Sequence, residues 1–334
     1  MKKLFSHITA AMCALFVSAC FAICANAAQA AFNVSFNSDM AVGKSQQISA
    51  SKEGGNLGTL SYKSENSAVA SVDSNGIITA NKAGSAKISC TSQGGESVSF
   101  DISVKAMPSS ISLSASEKSL NEGQTFDLNA RVNSGAYPTS FVYSSADSSV
   151  ASVSASGRVS AIKEGKTVIT AESENGIKAS CIVYVYSKND IELNMRATKV
   201  AMDYSNVTKI VYGKSALGRN LEAFVINGGG NNSKTLFCTF AVHGFEDSYY
   251  RDGKLLVDAA NDIVEYFAEN PDNLWDYRLV IVPCANPDGT IDGENNYRAK
   301  SGAFGRCTAD NVDMNRDFIS GKFQACESRA LRDL

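Results

Sequence analysis

Two kinds of periodicity divide the chain. Over residues 32–186, apolar and polar positions alternate in short runs. Val98, Phe100, Ile102 and Val104 are separated by polar residues, and so are Ala179, Cys181, Val183 and Val185. A period of two puts successive side chains on opposite faces of a strand, so each run predicts a strand with one buried face. Gly and Asn turns punctuate the runs, which predicts small all-β modules. Beyond Arg196 the pattern changes. Residues 221–227, 236–242 and 279–282 are short apolar stretches that predict buried strands, the first two as neighbours joined by the turn Gly228-Gly229-Gly230-Asn231-Asn232. Between the second and third stretches, Leu255, Ala259, Ile263 and Phe267, widened by Leu256 and Val264, recur at helical spacing over residues 254–268. Asn270-Pro271 ends that helix. Strand, helix and strand in turn predict an α/β domain.

The alternating region repeats itself. Val69-Ala70-Ser71-Val72 recurs 81 residues later as Val150-Ala151-Ser152-Val153, and the same offset relates Gly76 to Gly157, Ala80 to Ala161, Gly84 to Gly165 and Ile88 to Ile169. Repetition at this scale marks two copies of one module, residues 31–106 and 107–186, divided near Pro108. Cys90 and Cys181 fall in different strands of different copies, so both are expected as buried free thiols. Both copies resemble the bacterial immunoglobulin-like domains of group 2 through their shared V-A-S-V-x-x-x-G-x-(I/V)-(T/S)-A-x-x-x-G core. The resemblance implies β-sandwiches serving as a spacer or an adhesive stalk for a cell-surface polymer. Residues 187–195 read as a polar linker.

Residues 1–30 read as an export signal. Lys2 and Lys3 precede an uncharged apolar stretch over residues 8–25, and Ala25-Asn26-Ala27 and Ala28-Gln29-Ala30 fit small-x-small cleavage. Val17-Ser18-Ala19-Cys20 resembles a lipoprotein box, but the apolar core continues through Phe21-Ala22-Ile23-Cys24, which favours ordinary cleavage. No later stretch approaches the roughly 20 apolar residues of a membrane span. The mature protein is therefore expected to be secreted, extracellular or held at the bacterial cell surface. Removing the signal takes the formal charge from −3 to −5. With no basic run, nucleic acid is excluded as a partner. Cys238, Cys284, Cys307 and Cys326 also remain, none in the C-x-x-C spacing of a structural zinc knuckle.

Candidate chemistry lies in the C-terminal region. His243 and Glu246 stand in an H-x-x-E spacing at the end of an apolar run, and residues three apart share a helix face. Beyond the carboxyl ends of strands is also where open α/β sheets bind ligands. Asn286-Pro287-Asp288-Gly289 closes the 279–282 stretch, and Asn311-Val312-Asp313-Met314-Asn315-Arg316-Asp317-Phe318 follows. Upstream stands Gly213-Lys214-Ser215-Ala216-Leu217-Gly218-Arg219. These four motifs, in this order over residues 196–334, resemble the zinc metallocarboxypeptidases of the carboxypeptidase A type.

The resemblance implies a mixed-sheet α/β domain, a Zn2+ cofactor, and His243 and Glu246 as two of three metal ligands. A zinc ion with an open position lowers the pKa of its water and polarises a carbonyl. It further implies that Asn315 and Arg316 grip a substrate's terminal carboxylate, that Arg298 stabilises the oxyanion, and that Cys307 and Cys326 form a disulfide. Cys238 and Cys284, in apolar strands, are expected as buried thiols. Phe245 stands where well-known members carry arginine, which touches subsite contacts. His7 is the only other histidine, so the family's second histidine ligand and general base are not found. The region is expected to be the amino-terminal part of a carboxypeptidase domain, incomplete at its C-terminus and inactive alone. Glu327 is expected to open a helix rather than act as base. The multidomain chain thus reads as two all-β sandwiches followed by an α/β peptidase acting on peptide C-termini. Alternatives are a wall-peptide hydrolase acting at diaminopimelate or D-residues, and a catalytically dead surface binder.

Overall fold

Alternation in the first module produces the sheet it predicts. In this computed structural model, which describes residues 32–244, 252–292 and 306–334, Gly84–Thr91 pairs antiparallel with Ser97–Lys105, with Ile88 opposite Phe100 and Ala86 opposite Ile102. Asp39–Ala41 and Ser61–Ser64 complete that four-stranded sheet. A three-stranded sheet of Ser45–Gln47, Ile77–Ala80 and Ala70–Val72 faces the same core, where Ile78, Ile88 and Ile102 are fully buried. The second module repeats the plan, with Leu128, Val159, Ile169, Cys181 and Val183 fully buried. Equivalent glycines keep equivalent conformations: Gly76 and Gly157 have φ of 80° and 84°, in the left-handed region that a side chain disfavours. Cys90 and Cys181 are buried free thiols, as expected.

The C-terminal domain is built on a mixed sheet. Its elements are α1 (Met195–Asp203), β1 (Val207–Lys214), β2 (Asn220–Asn227), β3 (Lys234–Thr239), α2 (Asp252–Glu269), β4 (Tyr277–Val282), α3 (Pro287–Asp292), α4 (Met314–Ser320) and α5 (Cys326–Asp333). The strand order is β1-β2-β4-β3; only β3 and β4 run parallel. On one face, Ala260, Val264 and Ala268 of α2 and Ala197 and Val200 of α1 pack on Phe224, Ile226, Leu279 and Ile281. On the other, Met314, Phe318 and Leu331 from α4 and α5 pack on Ala223, Val280 and Val282.

Three expectations are corrected here. First, β2 and β3 are not neighbours, because β4 lies between them. The Gly228-Gly229-Gly230 loop carries the chain across β4's entry instead of making a hairpin. Gly229 N donates to Pro271 O at 3.1 Å and Gly230 N to Trp275 O at 3.0 Å. A Cβ on Gly228 would sit 2.5 Å from Tyr277 O, so this crossing requires glycine. Second, β3 is not buried. It ends at Thr239, it is an edge strand, and all six of its residues are exposed, Cys238 among them. The helices pack chiefly on β1, β2 and β4. Third, the expected stripe of α2 holds only in part: Val264 is buried and Ile263 and Phe267 pack half-buried on the core, but Leu255 and Leu256 are 68% and 48% exposed and Val257, Ala260, Asn261 and Ala268 complete the inward face. Small residues win the inward face because they let the helix approach the sheet closely.

Candidate metal centre

The site is assembled where the chain leaves β3. Phe240 N donates to Val282 O at 2.8 Å, and Ala285 N and Asn286 N donate to Phe240 O and Ala241 O, each at 3.0 Å. Parallel pairing thus persists past both strand ends. Ala241 has φ of 48°, a left-handed conformation that costs an alanine roughly 1–3 kcal/mol, and the chain turns there to present His243.

Beyond the turn, backbones touch. A Cβ on Gly244 would lie 2.1 Å from the carbonyl of Gly289, and one on Gly253 would lie 2.1 Å from Gly244 O. The H-G step, the start of α2 and the Asn-Pro-Asp-Gly turn therefore meet through glycines, with Gly253 N donating to Gly244 O at 3.1 Å. Gly244→Ala is expected to destabilise the domain by at least the ~1–3 kcal/mol of an overpacked core, since backbone cannot rotate away as a side chain can. Differential scanning calorimetry of wild type against variant checks this, and an unchanged melting temperature contradicts it.

His243 is mostly buried. Its Nε2 lies 3.1 Å from Asp313 Oδ1, and Arg306 Nε donates to Asp313 Oδ2 at 2.9 Å. Burial alone would raise the Asp313 carboxyl pKa, but the hydrogen bonds and charges of Arg306 and His243 outweigh it and hold it below its ordinary value. Asp313 also caps α4, accepting from Arg316 N, which satisfies an orphan donor of the first turn. One carboxylate thus ties His243 to the helix that carries Asn315 and Arg316. Both of those are exposed, and among the described residues the Arg316 guanidinium has no partner. A cleft of about 240 Å³ lined by Thr239, Ala241, His243, Gly253 and Leu256 opens beside the imidazole.

This donor set fits a zinc ligand. A metal-binding imidazole characteristically gives its second N–H to a carboxylate, which fixes tautomer and orientation. In the tautomer that directs Nε2–H at Asp313, Nδ1 is the nitrogen with a lone pair to offer a metal. Glu246 and Arg298 lie outside the described residues, as does the signal region.

Sequence reasoning missed Asp313, although an Asp ahead of a helical run is a recognisable N-cap signal. It also missed how two motifs hold each other. Fully buried Asp288 accepts from Ser215 Oγ at 2.9 Å, Arg219 Nη1 at 2.6 Å and Leu217 N at 3.0 Å. The Gly-x-Ser-x-x-Gly-Arg loop is thereby a brace for the Asn-Pro-Asp-Gly turn. Glu327 does open α5, and its Oε1 accepts from Ala216 N at 3.1 Å.

The expected Cys307–Cys326 disulfide is not formed; both are free thiols. Cys326 Sγ instead donates to Glu327 Oε2 at 3.2 Å. Asp310, Cys326 and Glu327 bring ligand atoms within 4.8 Å of one another. Burial and the adjacent Glu327 push the Cys326 thiol up to about 12, whereas a metal takes the thiolate.

Residues 194–331 match the family described as zinc carboxypeptidase, and residues 32–101 and 109–183 each match the bacterial Ig-like domain of group 2. The chain therefore carries two bacterial Ig-like domains followed by a zinc carboxypeptidase-family domain. Among curated proteins, bacteriocin BCN5 of Clostridium perfringens is 42% identical over 129 residues, which cover 37% of this chain and 13% of the relative. An uncharacterized protein of Clostridium acetobutylicum is 34% identical over 131 residues, covering 38% and 14%. The chain thus matches only about one seventh of the length of either relative. Among solved structures, carboxypeptidase A from Helicoverpa armigera is 20% identical, covers 41% of this chain and 39% of its own, and superposes with a TM-score of 0.29. Domains 4 and 5 of the S-layer protein SbsC are 23% identical, covering 42% and 80%, with a TM-score of 0.24.

Proposed function

We propose that this is an exported zinc-dependent carboxypeptidase that removes C-terminal residues from peptides, with its Ig-like domains as a cell-surface stalk. The observation that carries the reading is Asp313, which orients His243 with one oxygen and caps the helix of Asn315 and Arg316. His243 and Glu246 would hold the zinc, whose chemistry is activation of water and polarisation of the scissile carbonyl. Asn315 and Arg316 would fix the terminal carboxylate, and Arg298 would meet the developing oxyanion. Wild-type enzyme supplied with its full ligand set should cleave free-acid peptides and leave C-terminally amidated ones nearly intact. Equal cleavage of both would overturn the exopeptidase reading.

The ligand set that the family resemblance implies is not complete within these 334 residues. Apart from His7, His243 is the only histidine, and a catalytic zinc keeps three protein ligands. The 334-residue protein is therefore expected to bind zinc weakly and to lack peptidase activity unless a third ligand is supplied from outside it. Stoichiometric zinc surviving dialysis, read by atomic absorption, would contradict this, and so would chelator-sensitive hydrolysis.

A further inference from the structure

Composition makes residues 187–195 a polar linker, but the structure buries part of it, while Lys188, Asn189 and Glu192 stay exposed. The side chain of Asp190 is 1% exposed, and Ile191 and Asn194 are buried. Lys209 on β1, with its side chain 9% exposed, reaches three carboxylates at this joint. They are Asp190 Oδ2 of the connector at 2.6 Å, Glu164 Oε1 of the second sandwich at 2.8 Å, and Glu222 Oε1 of β2 at 3.3 Å. Asn220 Nδ2 donates to Asp190 Oδ1 and Asn194 Nδ2 donates to Glu222 Oε2, each at 2.8 Å. Alongside, Tyr184 of the second sandwich donates to Asp203 at the end of α1 at 2.8 Å, and Lys199 of α1 stands 4.6 Å from the centre of its ring. Lys199 also pairs with Glu117 of the sandwich at 2.7 Å.

One ammonium cannot balance three carboxylates away from water, because like charges at close range in low dielectric raise one another's pKa. The group that yields is Glu222. It is fully buried, it lies farthest from Lys209 Nζ, and its Oε1 accepts no hydrogen bond among the described residues. Burial pushes its carboxyl up to about 8, with Lys209 opposing and Asp190 reinforcing. Burial also disfavours the Lys209 charge, but Glu222, Asp190 and Glu164 outweigh it and raise that group. The other groups facing Glu222 are Tyr212 on β1 and Cys284 beyond β4, both pushed up by burial and uncharged at neutral pH.

We propose that this buried cluster latches the second Ig-like domain to the peptidase-family domain as one unfolding unit, and that the latch holds a proton whose loss weakens it. The second sandwich is then part of the catalytic body's foundation rather than a free spacer. Unfolded, Glu222 titrates near its ordinary 4.5 and, folded, near 8. The folded state therefore binds more protons between those values. Its stabilising contribution is complete below the lower value and is lost as pH rises through the upper one.

Thermal melts of the 334-residue protein test the proton, and hydrogen exchange in graded denaturant tests the latch. Between about pH 6 and about pH 8.5 the wild type should lose roughly 5 °C or more in melting temperature, and Glu222→Gln should lose less than about half of that. In the wild type, amides of Lys178–Tyr186 and of β2 should lose protection at one denaturant concentration. In Lys209→Met they should separate. Identical pH profiles for wild type and Glu222→Gln would overturn the proton. Separate loss of protection in the wild type would overturn the latch.

Discussion

In enzyme carrying its full ligand set, Arg316→Ala is expected to lower kcat/KM on free-acid peptides by at least tenfold, and to leave the residual cleavage of amidated peptides nearly unchanged. Arg316 is exposed on the first turn of α4 and has no partner among the described residues. A guanidinium not committed to a protein carboxylate is available for a ligand's. Charge-assisted hydrogen bonds contribute roughly 1.5–3 kcal/mol each, and 1.4 kcal/mol is a decade in rate. Arg316→Lys should recover only part of the loss, because a point charge cannot make the two parallel bonds of a planar fork. Steady-state kinetics on matched free-acid and amidated substrates decide it. A loss of equal size on both substrates would show that Arg316 supports the fold or the metal rather than the chain end.

The second large effect concerns Asp313. Asp313→Ala is expected to weaken zinc binding about 10- to 100-fold in enzyme carrying its full ligand set, the usual cost of losing a carboxylate behind a ligating imidazole. It removes the acceptor for His243 Nε2 at 3.1 Å, the partner of Arg306, and the cap of α4. The cap by itself is worth about 1 kcal/mol of stability. Asp313→Asn separates the two roles. An amide oxygen can still cap α4 and accept from His243, but it carries no charge. Most of the stability should return, with metal affinity only partly restored. Chelator competition gives the affinity and thermal melts give the stability. Wild-type zinc affinity in Asp313→Ala would remove the observation on which the proposed function rests.

The two expectations differ in how far they could be foreseen. Asn315 and Arg316 stand in a contiguous motif, so the sequence displays them together. The tie from Asp313 to His243 spans 70 residues and exists only because β3, β4 and α4 converge. The brace from Asp288 to Ser215 and Arg219 is of the same kind. Close backbone contact leaves its trace as glycine, and Gly228, Gly244 and Gly253 all mark such places. A glycine shows that something approaches, without showing what.

By itself, the sequence determined the modules, their repeat and the strands Ser97–Lys105 and Lys178–Tyr186. A strand with one buried face needs only a period of two, which is a local property of the chain. It also determined the existence and approximate length of α2 and the start of α5 at Glu327. Tertiary structure alone decided which face of α2 turns inward. Val257, Ala260 and Ala268 joined the expected Val264 in place of the more hydrophobic Leu255 and Leu256. The free energy of packing depends on how closely a helix can approach the sheet as well as on the hydrophobicity of its residues. Tertiary structure also decided that β4 separates β2 from β3, and that β3 lies at an exposed edge. It also buried the Asp190 side chain, Ile191 and Asn194 of a polar connector. Asp190 carries the composition of a linker, yet Lys209 and Asn220 satisfy it without water, and whether a polar group is solvated or buried depends on partners that arrive from elsewhere in the chain.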